Sequence, residues 1–362
     1  MARPQPPSIR SLAELTGFSK ATVANALNGS HRVATATVEK VRAAAAKAGY
    51  QRNPMVGAMM SAMRRSQVST LQGVLAVAEI AEPDRPEHGP FNRQLISGCN
   101  ESAEALGFKL ESYQLGPGGL SPERLCRVLK ARGIRGLILL PSWRTPKFSS
   151  FDWSRLSAVY ADYIPETPTL NSVCCDHYRS MLELLNRLHA RGYRRPGLVL
   201  ESGRDERVHL RMSAALGAFQ SAHRDVHAIK PFLSSDISKL NVVKWIARAK
   251  PDVVLSHHTD VLDWMQAAGL RVPKEIGFAA LNLAKSNRSC AGLDLRPREI
   301  GRCAVEILIG QIRREAWGAP RVPTNTTLLA EFVDGDTLQR QSHSTTSKAT
   351  AWRGSATRSF AA

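Results

Sequence analysis

The sequence predicts an all-α helix-turn-helix module joined by a short helical segment to a two-lobed α/β core. Three observations point there. Residues 8–50 contain three short helix-compatible stretches punctuated by Gly17 and Gly49. From about residue 70, short apolar runs alternate with amphipathic stretches, the pattern of parallel strands wound with helices on both faces. Residues 1–70 hold ten Lys and Arg against only Glu14 and Glu39, and a basic segment of this kind attracts a phosphate backbone whatever the base sequence.

Each element has a local signal. Residues 1–7 (MARPQPP) read as disordered. Ser11 and Glu14 have the spacing of a capping box, which places the first helix start at Ser11. Gly17 closes that helix and makes the turn. Ser19 can cap the second helix, with Thr22 three residues on. The third helix carries Val38, Val41, Ala45 and Ala48 on one face and ends at Gly49. In residues 51–63, Asn53 suits an N-cap and Pro54 the first helical position. Gly57 weakens this helix by about 1 kcal/mol relative to Ala.

Beyond residue 70, strands are expected at 73–80, 108–114, 136–140, 158–161, 198–201, 253–256 and 277–281. Helices are expected at 94–106, 121–132, 178–191, 208–222, 238–250, 261–268 and 298–317. These units divide into two lobes near residue 165. Ligands in such folds bind beyond the carboxyl ends of the strands, here in the cleft between lobes. The resulting domains are a disordered lead (1–7), the helix-turn-helix module (8–52), a helix and linker (53–69), the two-lobed core (70–339) and a disordered basic tail (340–362).

Composition narrows the class further. The 362 residues carry a net charge of +18. No apolar run is long enough for a membrane span, and the N-terminus lacks the apolar core of a secretory signal. A cytoplasmic, nucleoid-associated protein with no membrane contact is expected. The six cysteines (Cys99, Cys126, Cys174, Cys175, Cys290 and Cys303) form no C-x-x-C pair and lack zinc-finger spacing. They read as reduced and structural, with Cys174 and Cys175 suited to a strand. No metal and no cofactor are expected.

A helix-turn-helix inserts the start of its second helix into the major groove. Here that is Ser19–Asn25, and Lys20, Ala21 and Asn25 share its outward face. Lys20 suits guanine acceptors or a phosphate, Asn25 an adenine, and Ala21 a thymine methyl. A solvated surface is the plainer reading of Lys20 and Asn25. Val23 and Leu27 face the core.

At these residues the chain resembles the lactose-repressor (LacI) family of bacterial transcription regulators. The matching words are I-x-x-L-A-x-x-x-G-F-S-x-x-T-V (9–23), A-L-N-G (26–29), V-x-x-x-T (33–37), G-Y (49–50) and N-P (53–54). R-G-Y-R-R-P (191–196), G-L-R-V-P-K-E-I-G (269–277), R-E-I-G (298–301) and D-G-D-T-L (334–338) extend the likeness. The resemblance implies a homodimer on a pseudo-palindromic double-stranded operator. It implies that the Asn-Pro segment is a hinge helix that forms on DNA, with Met59 as an apolar wedge in the minor groove. A helix–helix interface is the plainer reading of Met55, Met59, Met60 and Met63. Ser19, Lys20, Ala21, Thr22, Asn25, Asn28, His31, Arg32, Tyr50, Asn53 and Met59 make up the candidate DNA-contacting set. Three departures stand out. Ala24-Asn25 replaces the family's usual Ser-Arg, so base preference should differ. Ala34 replaces a capping Ser. Gly57 raises the cost of ordering the hinge.

The resemblance also implies a core like periplasmic sugar-binding proteins, with a small-molecule effector in the cleft. Arg211 matches the family's cleft arginine; a surface helix arginine is the plainer reading. Asn282 stands where a sugar-binding Asp is common, and His257-His258 replaces a common Asn-Asp. His257 either lines the cleft or bonds backbone at a strand end. Phe91 either stacks on a ligand ring or packs in the core. Ser142 and Asp162 complete the candidate effector set. A carbohydrate or derivative is the expected effector; a nucleobase, or a cleft that binds nothing, are the alternatives. No nucleophile elbow, P-loop, zinc-protease word or dinucleotide fingerprint occurs, so an enzyme is not expected.

Overall fold

The computed structural model describes residues 9–27, 33–48, 72–81, 89–142, 148, 151–162, 168–285 and 289–339. The chain divides into two units, Met1–Thr70 and Leu71–Ala362. The expected helix at 53–63 and the terminal segments lie outside the described residues.

In the first unit, helices α1 (Ile9–Thr16), α2 (Lys20–Leu27) and α3 (Thr35–Lys47) close around Leu12, Val23, Ala26, Val41 and Ala45. Gly17 breaks α1 from α2 with φ of +73°, a left-handed conformation that costs glycine little. Ser19 caps α2: its Oγ accepts the Thr22 N–H at 3.1 Å. Ser11 does not cap α1, because Ile9 and Arg10 are already helical and an N-cap must be non-helical. Ala34 is the N-cap of α3 and supplies no side-chain bond, as its methyl dictates.

The second unit alternates strand and helix: β1 (Gly73–Ile80), α4 (Pro90–Ala105), β2 (Phe108–Leu115), α5 (Pro122–Ala131), β3 (Gly136–Leu139), β4 (Ser157–Tyr160) and β5 (Asn171–Cys175). It continues with α6 (His177–Ala190), β6 (Pro196–Glu201), α7 (Ser202–Arg207), α8 (Arg211–Ala222), β7 (Phe232–Ser234), α9 (Lys239–Ala249) and β8 (Val253–Ser256). Last come α10 (Asp260–Ala267), β9 (Gly277–Ala280), β10 (Gly292–Asp294), α11 (Pro297–Arg313), β11 (Asn325–Leu328) and β12 (Glu331–Val333). Two six-stranded sheets result, ordered β11-β5-β4-β3-β1-β2 and β12-β10-β9-β8-β6-β7. Every described pairing is parallel except β10 with β12. The central strands β3, β4, β8 and β9 are buried throughout, as a sheet covered on both faces requires.

Each sheet reverses its strand order once, beside β1 and beside β6. Such a switch point opens a crevice at the carboxyl ends of the strands. The division expected near residue 165 falls instead after β5, which is still part of the first sheet. The chain crosses at Asp176 and again after β10, where α11 packs on α4, β3, β4 and β5. It crosses a third time between β11 and β12. The expected helix at 208–222 is interrupted: His209 and Leu210 adopt φ of 55° and 57°. Buried Asp205 drives this turn, because its Oδ1 accepts the N–H groups of Met212 at 3.2 Å and Ser213 at 3.4 Å. The last long helix ends at Arg313, short of the expected Trp317; Glu315 has φ of 56°. None of the six cysteines, all of them described residues, is in a disulfide.

Candidate functional site

The candidate DNA-reading face of the first unit is built by α2. Val23 and Ala26 are fully buried, and Leu27 packs on the same core. That orientation leaves Lys20 and Asn25 exposed on the opposite side. The Ser19 hydroxyl sits 2.8 Å from the Thr22 hydroxyl, so both polar groups gather at the amino end of α2, which a major-groove helix presents to the bases. The Ala21 side chain lies outside the described atoms. Asn28, His31, Arg32, Tyr50, Asn53 and Met59 lie outside the described residues.

In the second unit a cavity of about 370 Å³ opens at the carboxyl ends of the two sheets. Five of the six candidate effector residues line it: Phe91, Ser142, Asp162, His257 and Asn282. Phe91 also packs against the main core, so its side chain stands on the cavity wall and against the core at once. Arg211 does not line the cavity. The left-handed turn at His209–Leu210 places it at the start of α8, and Arg204 and Arg207 of α7 take the wall instead.

The polar groups are held in place by short local bonds. Glu79, at the end of β1, is 8% exposed, and its Oε1 accepts from Asn92 Nδ2 at 2.6 Å. Asn92 sits in the first turn of α4, which Pro90 starts. Asp162, which follows β4, pairs with Arg207 of α7 across the cleft. Arg204 Nε donates to Glu201 Oε2 at 3.1 Å. Asn282 Oδ1 accepts the Ala284 N–H at 3.1 Å, which leaves its Nδ2 donors for the cavity. His177 opens α6 just after the N-cap Asp176, whose carboxylate accepts the Arg179 N–H at 3.0 Å. Burial pushes the His177 imidazole down to about 3, and the charges of Arg207 and Arg211 add to this. His177 is therefore neutral at any ordinary pH. Burial pushes the Cys175 thiol up to about 12, so it lines the cavity as a thiol rather than a thiolate nucleophile.

Glu79, Asn92, His177, Arg204 and Arg207 are cavity residues that sequence reasoning missed. The signal for Glu79 was its place at the end of a strand beside a switch point. The signal for the arginines was the charged word R-D-E-R at 204–207, directly after β6. Among the described residues, no group of three His, Cys, Asp or Glu could hold a metal ion, and no helix is long and apolar enough to cross a membrane.

Two family models match. Residues 8–53 match the bacterial regulatory proteins of the lacI family, and residues 185–338 match the periplasmic binding protein-like domain. The HTH-type transcriptional repressor CytR of Escherichia coli (strain K12) is 22% identical over 327 residues, covering 86% of this chain and 92% of that protein. The HTH-type transcriptional regulator KdgR of Bacillus subtilis (strain 168) is 22% identical over 333 residues, with 87% and 93% covered. Maltose regulon regulatory protein MalI of Escherichia coli (strain K12) is 30% identical over a shorter 139 residues, 38% of this chain and 37% of that one. Among solved structures, a CelR–cellobiose complex superposes with a TM-score of 0.56 at 19% identity, over 91% of this chain and 99% of that one. A lac repressor dimer bound to operator and the anti-inducer ONPF gives 0.54 at 18% identity, over 92% and 100%. With a three-helix reading module and a two-lobed cleft core in one chain, both matched by their own models, the protein belongs to the LacI family of bacterial regulatory proteins.

Proposed function

We propose that the protein is a sequence-specific DNA-binding repressor whose hold on its operator is controlled by a small molecule bound between the lobes. One observation carries this reading. A capped recognition helix with exposed Lys20 and Asn25 shares its chain with a polar cavity at two switch points. The partners are a pseudo-palindromic double-stranded operator and a second copy of the chain. In this reading Ser19, Lys20, Ala21, Thr22 and Asn25 contact the half-site, and Asn28, His31, Arg32, Tyr50, Asn53 and Met59 complete the contacts. The protein acts in the cytoplasm, without a cofactor and without catalysing a reaction.

The effector is a carbohydrate or a derivative of one. Relatives whose structures hold cellobiose and ONPF support this, as do the hydrogen-bonding groups of Glu79, Asn92, Asn282 and His257 around the cavity. A nucleobase is the second reading, favoured by the Phe91 ring on the cavity wall. Effector binding changes the angle between the lobes and so shifts the dimer away from its DNA-holding arrangement.

The test selects binding sites from random duplexes, then measures release by fluorescence anisotropy with sugars and nucleosides added. A palindromic consensus, and release by at least one compound, is the expected result. Binding with no base preference would remove the regulator reading. Selective binding that no compound relieves would remove the effector half alone.

A further inference from the structure

The cavity is electrically divided. On the first-lobe side stand the carboxylates Glu79 and Asp162; on the second-lobe side stand Arg204 and Arg207. Among the described lining residues of the second lobe there is no carboxylate. Arg207 and Arg211 both bear on the buried His177 and disfavour its charged form. Glu79 is engaged within its own lobe by Asn92. Asp162 is engaged across the gap by Arg207, with side chains 12% and 27% exposed.

A pair that spans the cleft in this way occupies the place where a bound molecule must go. A neutral molecule wedged between the two would separate a half-buried ion pair and leave two poorly solvated charges, an unfavourable exchange. An anion can replace Asp162 on the guanidinium and keep the charge-assisted bonds of Arg207, because Arg presents paired donors matched to carboxylate or phosphate; only the Asp162 carboxylate, and not both charges, must then be solvated anew. The opposite wall, with Asn92 and Gln114 beside Glu79, offers hydrogen bonds suited to hydroxyls.

The geometry points to an anionic polyhydroxy effector, a sugar acid or a sugar phosphate, whose negative group takes the place of Asp162 on Arg207. Arg207 is then the specificity-determining residue of the cleft, and Asp162 is the internal anion that fills its place until the effector arrives. This rests on the cleft being the effector site, and it narrows the class of effector.

The experiment has two arms, both read as thermal shifts by tryptophan fluorescence at fixed ionic strength. The first uses inorganic phosphate on wild type, D162N, D162N/R207Q and D162N/R207K. Removing the internal anion should lower the phosphate concentration for half-maximal stabilisation at least roughly tenfold. The double change to Gln should abolish the gain, and the change to Lys should retain part of it. Equal responses in wild type, D162N and D162N/R207Q would overturn the inference.

The second arm compares glucose, glucuronate and glucose 6-phosphate on wild type. One of the two anionic forms should act at a concentration roughly tenfold or more below glucose, and which one it is separates carboxylate from phosphate. Glucose acting as well as both anions would overturn the anionic class while leaving small-molecule control of the operator intact. Where none of the three binds, the phosphate arm decides.

Discussion

Replacing His177 by Gln should remove a defined part of the acid sensitivity of the core. His177 is buried and lies below its ordinary value of 6.5, at about 3, because burial and then Arg207 and Arg211 disfavour the imidazolium. Between those two values the unfolded chain takes up a proton that the folded chain refuses. Stability contributed by the neutral ring is thus fully present above pH 6.5 and is lost as pH falls toward 3. Integrating the linkage relation from pH 7 to pH 5 gives a loss of about 2 kcal/mol from this one group. All six tryptophans lie beyond residue 70, so urea unfolding followed by tryptophan fluorescence reports the core and not the DNA-reading unit. Wild type should lose about 2 kcal/mol more than H177Q over that interval. Carboxylates such as Asp225, held low first by its bond to His189, contribute equally to both proteins and cancel. Parallel pH profiles for the two proteins would refute the reasoning, whatever their absolute stabilities.

Other changes test other links. Ser19→Ala removes the only described side-chain cap of α2 and should cost the helix about 1 kcal/mol; amide exchange across Lys20–Leu27 should quicken several-fold. Asn25→Ala should relax preference at one half-site position by roughly 1–3 kcal/mol without erasing binding elsewhere, as measured on a panel of single-base operator variants. Gly98→Ala would drive a methyl into the Arg298 carbonyl oxygen, forcing α4 and α11 apart. A cost of about 1–3 kcal/mol should appear as a lower Tm of the core transition.

Much of the architecture was legible because it is written locally. The Gly17 turn, the Ser19 cap and the apolar face of α3 are each decided within a few residues. The strands at 73–80 and 253–256 match their expected limits, since continuous apolar runs leave a buried strand little choice. What escaped depends on distant partners. β7, β10 and β12 have three residues each, too few to show a period, and β11 (Asn325–Leu328) is polar and holds its place by pairing with β5. The interruption at His209–Leu210 comes from Asp205, a charged residue whose capping of α8 no local pattern announces. That turn also explains why Arg211, matched by its word in the sequence, is not among the residues lining the cavity while Arg204 and Arg207 are. The Ser11 capping box had the right residues at the right spacing, yet the helix begins before it, because nothing at Ile9 or Arg10 breaks a helix.

The arrangement of the crossings bears directly on how a molecule in the cleft would be felt. Cys175 and His177 flank the first crossing, Leu295 lies at the second, and all three line the cavity. The third crossing is tied to the first: the Asp176 N–H donates to the Leu328 carbonyl at 2.8 Å, and the Ala330 N–H donates to Ser180 Oγ at 3.0 Å. Any change in lobe angle must therefore alter backbone dihedrals within one or two residues of the cavity wall. A molecule held there has different contacts in the two lobe arrangements, which is the differential affinity a ligand needs to shift a conformational equilibrium. A binding pocket set within a single lobe would lack that leverage. In this chain the hinge and the pocket share residues, so occupancy and lobe angle are coupled by construction, and the Asp162–Arg207 pair joins the two lobes at that same place.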